Sequence, residues 1–381
     1  MSEPIVEIDL AALRWNFAQA RALAASGAKL LPVIKSDAYG HGMVACAREL
    51  AGLAPWGFAV SSLEEGLTLR EAGFTQRILL LLGARPEEAP EVVRSGLTPV
   101  VFELGEAEAL AAAAKAQGVR LPVHVKVDSG MGRLGFSERE LPAALPRLAG
   151  MANLEVEGVC SHLACADTDD EFTREQLRRF QAALAACREA GLNPVLNHLS
   201  NSAALITCGG FGDLLGLARP GIMLYGGYPS ERLRGRVELR PVMGLKARVL
   251  QVKEIECGET VSYGRTYCAR GRERVAVIGC GYAHGYQRSL GNRGVVLIGG
   301  RRAPIRGRVC MNALMAAVSG VPDVRPGDEA VLLGSQGEEE IRAEELAGLA
   351  GTISYELFCA MGRLNQRRFI NAAAGATDRV F

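Results

Sequence analysis

The feature that most constrains the fold is an alternation of short apolar segments with helical segments, which runs from about residue 30 to residue 226. The apolar segments are rich in β-branched residues and predict strands at residues 30–35, 57–60, 77–82, 98–102, 122–128, 154–162, 195–199 and 218–225. Apolar residues at helical spacing between them predict helices at residues 43–53, 62–72, 106–117 and 172–190. This alternation is typical of repeated βα units around a parallel sheet.

Eight such strands are the number that closes a (β/α)8 TIM barrel, and we predict this α/β fold. An open doubly wound sheet gives a similar alternation, so the periodicity alone leaves both folds open. After about residue 240 the pattern changes to short strands separated by glycines, at residues 242–256, 273–279, 294–298, 303–308, 313–318 and 329–333, with helical stretches at 344–349 and 354–362. We therefore predict a barrel domain over residues 1–240 and a C-terminal mostly-β domain over residues 241–381.

Charge and cysteine usage exclude several classes of partner. The 43 basic and 42 acidic side chains leave a net charge of +1, so we expect a small-molecule ligand rather than nucleic acid or a membrane surface. The first residues do not resemble a secretory leader, and the ten cysteines form no CxxC pairs, which favours reduced thiols in the cytoplasm. Cys160, His162 and Cys165 lie close together in sequence, but no second ligand pair follows, so we expect no metal site.

The segment LLPVIKSDAYGHG places Lys35 at the end of the first predicted strand. In a barrel of this kind the active site is built at the carboxyl ends of the strands. Tyr39, Gly40 and Gly42 follow at once, and they provide a phenol that can donate to a phosphate and a loop that can approach a ligand closely. A lone lysine at a strand end is usually a surface residue, so the rest of the site has to support this hypothesis.

Two later loops provide a candidate phosphate site. Ser202 follows the seventh predicted strand in NHLSNSAA, and Gly221 and Ile222 follow the start of the eighth in ARPGIMLYG. Loops after strands seven and eight are the usual phosphate site of this fold. His162, at the end of the sixth strand, would lie nearby, although a lone histidine is more often structural.

These segments, together with HVKVDSGMGRLGF and VSYGRTY, resemble motifs of the alanine racemase family in order and spacing over almost the whole chain. The resemblance implies that Lys35 holds pyridoxal 5'-phosphate (PLP) as a Schiff base and that Tyr39 contacts its phosphate. It also implies that Tyr263 is a second base. Racemisation needs proton transfer on both faces of the α-carbon, so Lys35 would act on the D-enantiomer and Tyr263 on the L-enantiomer.

The resemblance assigns further roles around the cofactor. Arg219 would face the pyridine nitrogen, and because a guanidinium can donate but not accept, the nitrogen would stay unprotonated, which limits transamination. Arg133 would lie beside the cofactor's phenolic oxygen, and Lys126 matches a lysine that family members often carry in carbamylated form. Tyr263 would be supported by a chain through His162 to Arg219.

The C-terminal segments complete the resemblance. Met311 in GRVCMNALM would offer its backbone amide to the substrate carboxylate, and Asn312 stands where the family commonly has aspartate. Tyr355 in TISYEL would contact the phosphate and narrow the pocket, which favours alanine; a core aromatic residue is the alternative. In the family the second tyrosine comes from the other subunit, so the resemblance implies a homodimer that makes D-alanine for peptidoglycan.

Four alternatives remain open. A broad-specificity or serine racemase would share every residue above and differ in pocket size. A barrel-type PLP decarboxylase with a cysteine from the second domain, here Cys310, would want a carboxylate where Arg219 stands. A PLP carrier without turnover would not need the domain that contains Tyr263. A phosphate-sugar barrel without PLP would not explain Lys35 together with Arg219.

Overall fold

The structure is a computed structural model that describes residues 3–373, except for the side chains of residues 212–214. Its helices are α1 (Leu10–Leu23), α2 (Lys35–Tyr39), α3 (Met43–Ala51), α4 (Leu63–Glu71), α5 (Ala89–Arg94), α6 (Leu104–Ala116), α7 (Leu141–Ala149), α8 (Asp170–Glu189), α9 (Ser202–Cys208), α10 (Ala343–Ala350) and α11 (Ser354–Leu364). The strands of its first half are β1 (Ile5–Asp9), β2 (Lys29–Leu30), β3 (Gly57–Val60), β4 (Arg77–Leu80), β5 (Thr98–Val101), β6 (Leu121–Lys126), β7 (Leu154–Cys160) and β8 (Leu217–Ala218).

The strands of the second half are β9 (Met243–Ile255), β10 (Thr260–Val261), β11 (Tyr267–Cys268), β12 (Glu273–Ile278), β13 (Val295–Ile298), β14 (Arg301–Pro304), β15 (Leu314–Ala317), β16 (Glu329–Gln336), β17 (Glu339–Ile341) and β18 (Gln366–Ile370). The predicted helices correspond to α3, α4, α6, α8, α10 and α11, with ends that differ by at most two residues. Among the described residues, no helix is long and apolar enough to cross a membrane.

The first half closes into a barrel of parallel strands. β3 to β7 pair in sequence order, β2 pairs with β8, and the chain just after β2 bridges to β3. Residues 195–199 fill the gap between β7 and β8, because the His198 N–H donates to Val159 O at 2.9 Å and Asn197 O accepts from Leu217 N at 3.2 Å. Within the described residues the barrel wall therefore has eight strand positions. The predicted barrel is confirmed, and the alternative of an open doubly wound sheet is excluded.

Burial explains why these segments lack polar alternation. All four residues of β3 and all four of β5 are buried, because the barrel interior covers one face of each strand and the helices cover the other. Three of the helices, α1, α8 and α9, begin at a side-chain cap encoded in the sequence. The Asp9 carboxylate accepts from Ala11 N at 2.8 Å and begins α1, and the Asp169 carboxylate accepts from Phe172 N at 2.9 Å and begins α8.

The second half is mostly β, as predicted. Its main sheet has the order β14-β13-β16-β9-β1-β18, and β12, β15 and β17 branch from it. The first strand of the chain lies in this sheet, antiparallel to β9 and parallel to β18. The domain boundary near residue 240 stays a prediction. That boundary assigns β1 to the barrel domain, although β1 pairs with β9 and β18 of the second half.

Several predicted strands end earlier in the structure, two of them by five or more residues. The segment 218–225 is strand only at its start, and Ile222–Tyr225 forms a 3-10 helix. Pro220 has no N–H to continue the ladder, and the amides of Gly221 and Met223 point to the Ser202 hydroxyl instead. The segment 30–35 also stops early, because the chain turns into α2 at Lys35.

Candidate active site

The carboxyl ends of the barrel strands open into a cavity of about 400 Å³. Ten of the twelve predicted site residues line it, namely Lys35, Tyr39, Lys126, Arg133, His162, Ser202, Arg219, Gly221, Ile222 and Tyr355. The other two, Tyr263 and Met311, lie elsewhere. The fold therefore collects residues that are spread over more than 300 positions of the sequence into a single cavity.

Lys35 enters the cavity from a turn of unusual handedness. Ser36, Asp37 and Ala38 have φ of 52°, 54° and 54° and ψ of 49°, 46° and 48°, and Tyr39 continues with φ of 55°. These are left-handed helical values, which cost L-residues roughly 1–2 kcal/mol each. A run of four non-glycine residues in this conformation persists only where surrounding contacts impose it.

Two side chains from other parts of the chain, Glu65 and Arg367, and one from the turn itself, Asp37, impose the left-handed turn. The Glu65 carboxylate accepts from Ser36 N at 2.6 Å, and the Asp37 carboxylate accepts from Met43 N at 2.7 Å. Arg367 of β18 forms an ion pair with Asp37. The second half of the chain thus holds the segment that carries Lys35.

His41 also stabilises the left-handed turn. Its ring is fully buried, stacks on Tyr225 with centroids 4.5 Å apart, and donates from Nδ1 to Ala38 O at 2.9 Å and to Tyr39 O at 3.1 Å. Burial lowers the pKa of His41 to about 4, so the ring is neutral near pH 7. His41 therefore holds the carbonyl oxygens of Ala38 and Tyr39, while Tyr39 itself lines the cavity.

The two lysines of the cavity are held in an environment that favours their neutral form. Burial lowers the pKa of Lys35, and the nearby charge of Arg133 lowers it further. Burial also lowers the pKa of Lys126, with Arg219 and Arg133 adding to the effect. A neutral amine is a nucleophile and a base, whereas an ammonium group is neither.

Hydrogen-bond donors converge on one side of the cavity. The Ser202 hydroxyl accepts from Gly221 N at 2.9 Å, and a Cβ added to Gly221 would lie 2.7 Å from the Tyr39 hydroxyl. Glycine is therefore needed for the phenol to approach this backbone. Burial raises the pKa of Tyr39 and that of Tyr355, whose rings are 5.9 Å apart, so both phenols keep their protons and can donate. Such a group of donors suits an anion.

Arg219 also lines the cavity and is 5% exposed. Its Nη1 donates to His198 Nδ1 at 2.6 Å and to His198 O at 2.9 Å. Its Nη2 donates to Ser161 O at 2.8 Å and lies 3.4 Å from His162 Nδ1. Acceptors on two strand ends therefore fix the orientation of the guanidinium plane.

A chain of buried imidazoles continues from Arg219 into the barrel interior. His198 Nε2 lies 2.7 Å from His124 Nδ1, and His124 Nε2 lies 3.4 Å from Glu157, which pairs with Arg77 at the other end. Burial lowers the pKa of His124 and of His198, so both are neutral. A side chain on Gly158 would overlap the His124 ring, so the glycine makes room for it.

Tyr263 and Met311 lie on the surface of the second half, outside the cavity. Their side chains are 70% and 55% exposed, high values for large apolar groups. Within a single chain the predicted link from Tyr263 to His162 is therefore not formed. His162 itself lines the cavity, and burial together with the charge of Arg219 lowers its pKa to about 3.

Two family models match the chain. The model described as alanine racemase, N-terminal domain, matches residues 8–229, and the model described as alanine racemase, C-terminal domain, matches residues 242–369. An alanine racemase of Syntrophobacter fumaroxidans is 45% identical over 381 residues, covering 99% of this chain and 100% of that protein. One from Geobacter sulfurreducens is 44% identical, and the alignment covers 96% and 97%. The chain belongs to the alanine racemase family.

Solved structures of alanine racemases have the same fold as this chain. The enzyme of Clostridium difficile 630 matches with a TM-score of 0.89 at 36% identity, covering 97% of both chains. That of Streptomyces lavendulae matches with a TM-score of 0.92 at 33% identity, covering 98% of both. The Bacillus anthracis enzyme with bound L-Ala-P matches with a TM-score of 0.89 at 33% identity, covering 100% and 98%. The barrel with a C-terminal mostly-β domain is thus the architecture of the alanine racemase family.

The motifs of the alanine racemase family did not lead to every residue of the site. Three residues of the site were not predicted from the sequence: His124 and Glu157, which support Arg219 from a distance, and Asp167, which lines the cavity. A signal for His124 was present: it lies two positions before Lys126 on a buried strand, and residues at this spacing face the same side. Among the described residues, no group of three or more His, Cys, Asp or Glu is arranged to hold a metal ion.

Proposed function

We propose that the chain is an alanine racemase that interconverts L-alanine and D-alanine with PLP bound to Lys35, and that it supplies D-alanine for peptidoglycan. The observation that carries the proposal is the convergence of Lys35, Arg219 and the Tyr39–Ser202–Gly221 donor group on one cavity. The 45% identical relative is named alanine racemase, and the Bacillus anthracis structure is described with L-Ala-P bound. Both descriptions support an alanine-sized substrate here.

The residues of the cavity fit the three polar features of PLP. The amine of Lys35, whose pKa is lowered by burial, suits the aldehyde, the hydroxyls of Tyr39 and Ser202 next to the backbone of Gly221 suit the phosphate, and Arg219 suits the pyridine nitrogen. The volume of about 400 Å³ lies within the usual range for cofactor and small-ligand sites. Ile222 and Tyr355 also line the cavity, and the backbone amide of Ile222 and the phenol of Tyr355 would reach the phosphate.

Bound PLP withdraws electrons from the substrate's α-carbon and so weakens its bond to hydrogen. Lys35 would then take or return this proton on one face of the α-carbon, acting on the D-enantiomer. Tyr263 would do so on the other face, acting on the L-enantiomer. The lowered pKa of Lys35 supports its role, because only the neutral amine can accept a proton.

Arg219, Arg133 and Lys126 would set the charge around the site. Arg219 can donate a hydrogen bond to the pyridine nitrogen but cannot protonate it, which restrains side reactions such as transamination. Arg133 would bind the cofactor's phenolic oxygen and the substrate. The lowered pKa of Lys126 is compatible with carbamylation, since CO2 reacts with a neutral amine, and the resulting anion would offset the charge of Arg133.

Tyr263 and Met311 support the proposal of a homodimer. Both are exposed on the same half of the chain and lie outside the cavity of their own subunit. In a dimer they would enter the partner's cavity, where Tyr263 would approach His162 and the Met311 amide would bind the substrate carboxylate.

Asn312 keeps the size and the hydrogen bonding of an aspartate but lacks its charge. Ten free cysteines favour a reducing compartment and hence the cytoplasm.

A broad-specificity or serine racemase remains the second candidate, because it would use the same groups. Tyr355 lines the cavity and would narrow the space beside the cofactor, which favours alanine. Parallel assays with L-alanine and L-serine decide between the two candidates. Faster turnover of serine or larger amino acids would favour the broad enzyme.

The first experiment is an absorption spectrum of the purified protein before and after borohydride, followed by peptide mapping. We expect an imine band and reduction of the cofactor onto Lys35. Lys35→Ala should lose both the band and the turnover. Lys29→Ala removes an exposed lysine of the preceding strand and should keep them. No bound cofactor and no racemisation would contradict the proposed function.

A further inference from the structure

Two segments of the second half face each other next to Tyr263. The tyrosine turn comprises residues 262–266, and the methionine segment comprises residues 307–311. Tyr263 and Met311, the two groups assigned above to the partner's cavity, lie one on each segment. Their relative position therefore depends on how the two segments are joined.

Ser262 joins the start of the tyrosine turn to the methionine segment. Its hydroxyl donates to Arg308 O at 2.6 Å, while its backbone has φ of 69° and ψ of −179°. Residues other than glycine rarely adopt this conformation, so the chain keeps a strained residue immediately before Tyr263. A Cβ on Gly307 would lie 2.7 Å from the Ser262 Cβ and 2.5 Å from Val261 O, so the two segments are in close contact here.

Asn292 joins the other end of the tyrosine turn to the same segment. Its side-chain oxygen accepts from Gly307 N at 2.6 Å, and its amide nitrogen lies 3.2 Å from Thr266 O and 3.3 Å from Thr266 Oγ1. Asn292 also has a left-handed backbone, with φ of 58°, which asparagine tolerates better than most residues. The tyrosine turn is thus tied at both ends.

The guanidinium of Arg308 packs on the middle of the turn. A Cβ on Gly264 would lie 3.1 Å from Arg308 Cζ, so this contact also depends on a glycine. Tyr263 itself is 70% exposed and packs little against its own chain. Its position is therefore set by the backbone of the turn, which Ser262 and Asn292 hold.

We propose that Ser262 and Asn292 are positioning residues that clamp the tyrosine turn onto the methionine segment and so fix Tyr263 relative to Met311. The inference rests on the proposed function, in which Tyr263 transfers a proton in a partner's cavity. Neither residue touches the reacting atoms. Both act through the geometry of Tyr263, and for this reason their loss should slow proton transfer more than it weakens substrate binding.

The test compares two variants that lose the same hydroxyl. Ser262→Ala removes the hydrogen bond and keeps the strained backbone, whereas Ser262→Gly removes the hydrogen bond and relieves the strain. For the PLP-bound dimer we expect kcat to fall about tenfold in both variants, the fold-change that corresponds to one lost hydrogen bond, with KM for alanine nearly unchanged. The thermal midpoint should be higher for Ser262→Gly than for Ser262→Ala. Asn292→Gly should lower kcat similarly, and Ser335→Ala, an exposed serine on β16, is the matched control.

A second readout separates positioning from general damage. In Ser262→Ala the kinetic isotope effect should rise with α-deuterated L-alanine, on which Tyr263 acts, and not with α-deuterated D-alanine, on which Lys35 acts. If kcat instead followed the thermal midpoint, so that Ser262→Gly regained wild-type turnover, the inference would be overturned. Unchanged turnover in Ser262→Ala, Ser262→Gly and Asn292→Gly would overturn it as well. Tyr263→Phe tests the proposed function separately: full activity in that variant would refute the role of Tyr263 itself.

Discussion

Arg219 Nη1 lies 2.6 Å from Nδ1 of His198, and this contact sets the direction of the whole buried chain behind it. A guanidinium only donates, so His198 Nδ1 must accept and its proton must reside on Nε2. That proton is donated to His124 Nδ1 at 2.7 Å, which leaves the His124 proton on Nε2, directed at Glu157. The tautomers of two histidines thus follow from one arginine, and the chain ends at a carboxylate.

Substituting Arg219 by lysine should impair both the cavity and the buried histidine chain behind it. Lysine presents a point charge and cannot span Ser161 O and the two acceptor atoms of His198 as the planar guanidinium does. Each lost hydrogen bond of a charged group is worth about 1.5–3 kcal/mol, so we expect kcat/KM to fall about 100-fold. Steady-state racemisation assays in both directions measure this. A loss smaller than about threefold would mean that charge alone, without the fork geometry, is sufficient.

Within the buried hydrogen-bond chain, Glu157 at the far end should contribute less to stability than His124 in the middle. His124→Phe leaves the His198 Nε2–H without an acceptor in a buried site, so we expect the free energy of unfolding to drop by about 1–3 kcal/mol and kcat to fall with it. Glu157→Gln keeps an oxygen acceptor for His124 and should cost less than about 1 kcal/mol. Urea unfolding of both variants gives the comparison. Equal losses would show that the carboxylate charge, rather than hydrogen-bond continuity, is what the chain requires.

Stability should fall in acid because the histidines of the barrel are buried and neutral. Burial lowers the pKa from 6.5 to about 4 in His41 and to about 3 in His162, and it lowers the pKa of His124 and His198 as well. For a base whose folded pKa is lowered, stability is complete above the unfolded pKa and is lost as pH falls towards the folded one. His41 and His162 should each cost up to about 1.4 kcal/mol per pH unit between pH 6.5 and their folded pKa, and His124 and His198 should add to the loss in the same direction.

Urea unfolding at pH 7.5, 6.0 and 5.0 tests this expectation, in a range where most carboxylates remain ionised. The His124→Phe variant supplies a control, since it should take up one proton fewer on unfolding and show a shallower pH dependence. A free energy of unfolding that stays flat between pH 7.5 and 5.0 would contradict the assignment of neutral, buried imidazoles.

The sequence was sufficient where a local pattern corresponds directly to structure. Buried strands of the barrel lack polar alternation, and the glycine-punctuated strands after residue 240 became the mostly-β half. The ten cavity residues were found through motifs whose order along the chain matches the order of the strand ends. The same reasoning could have found His124, because the period of two on β6 already places it beside Lys126.

Features imposed by distant contacts were not predictable. The left-handed turn after Lys35 opposes the backbone preference of its residues and depends on Arg367, which lies 330 positions away in sequence. Pairing of β1 with β9 and β18 likewise depends on strands more than 200 residues distant. In both cases the determining partners belong to the other half of the chain, and no local pattern indicates them.

The closeness of α11 to the lysine turn gives a final prediction. Gly362 of α11 lies so near Gly40 that an added Cβ would overlap the Gly40 carbonyl oxygen, and Gly40 has the same relationship to Phe358 O. Gly362→Ala should push α11, which also carries Tyr355, away from the turn, lower the free energy of unfolding by about 2–4 kcal/mol and weaken PLP binding. Gly348→Ala is the matched control, because nothing lies within 4 Å of its added Cβ on α10, and it should stabilise by about 0.5–1 kcal/mol. Cofactor titration and urea unfolding of both variants separate helix propensity from packing. A Gly362→Ala protein as stable as the control would mean that α11 and the lysine turn tolerate being moved apart.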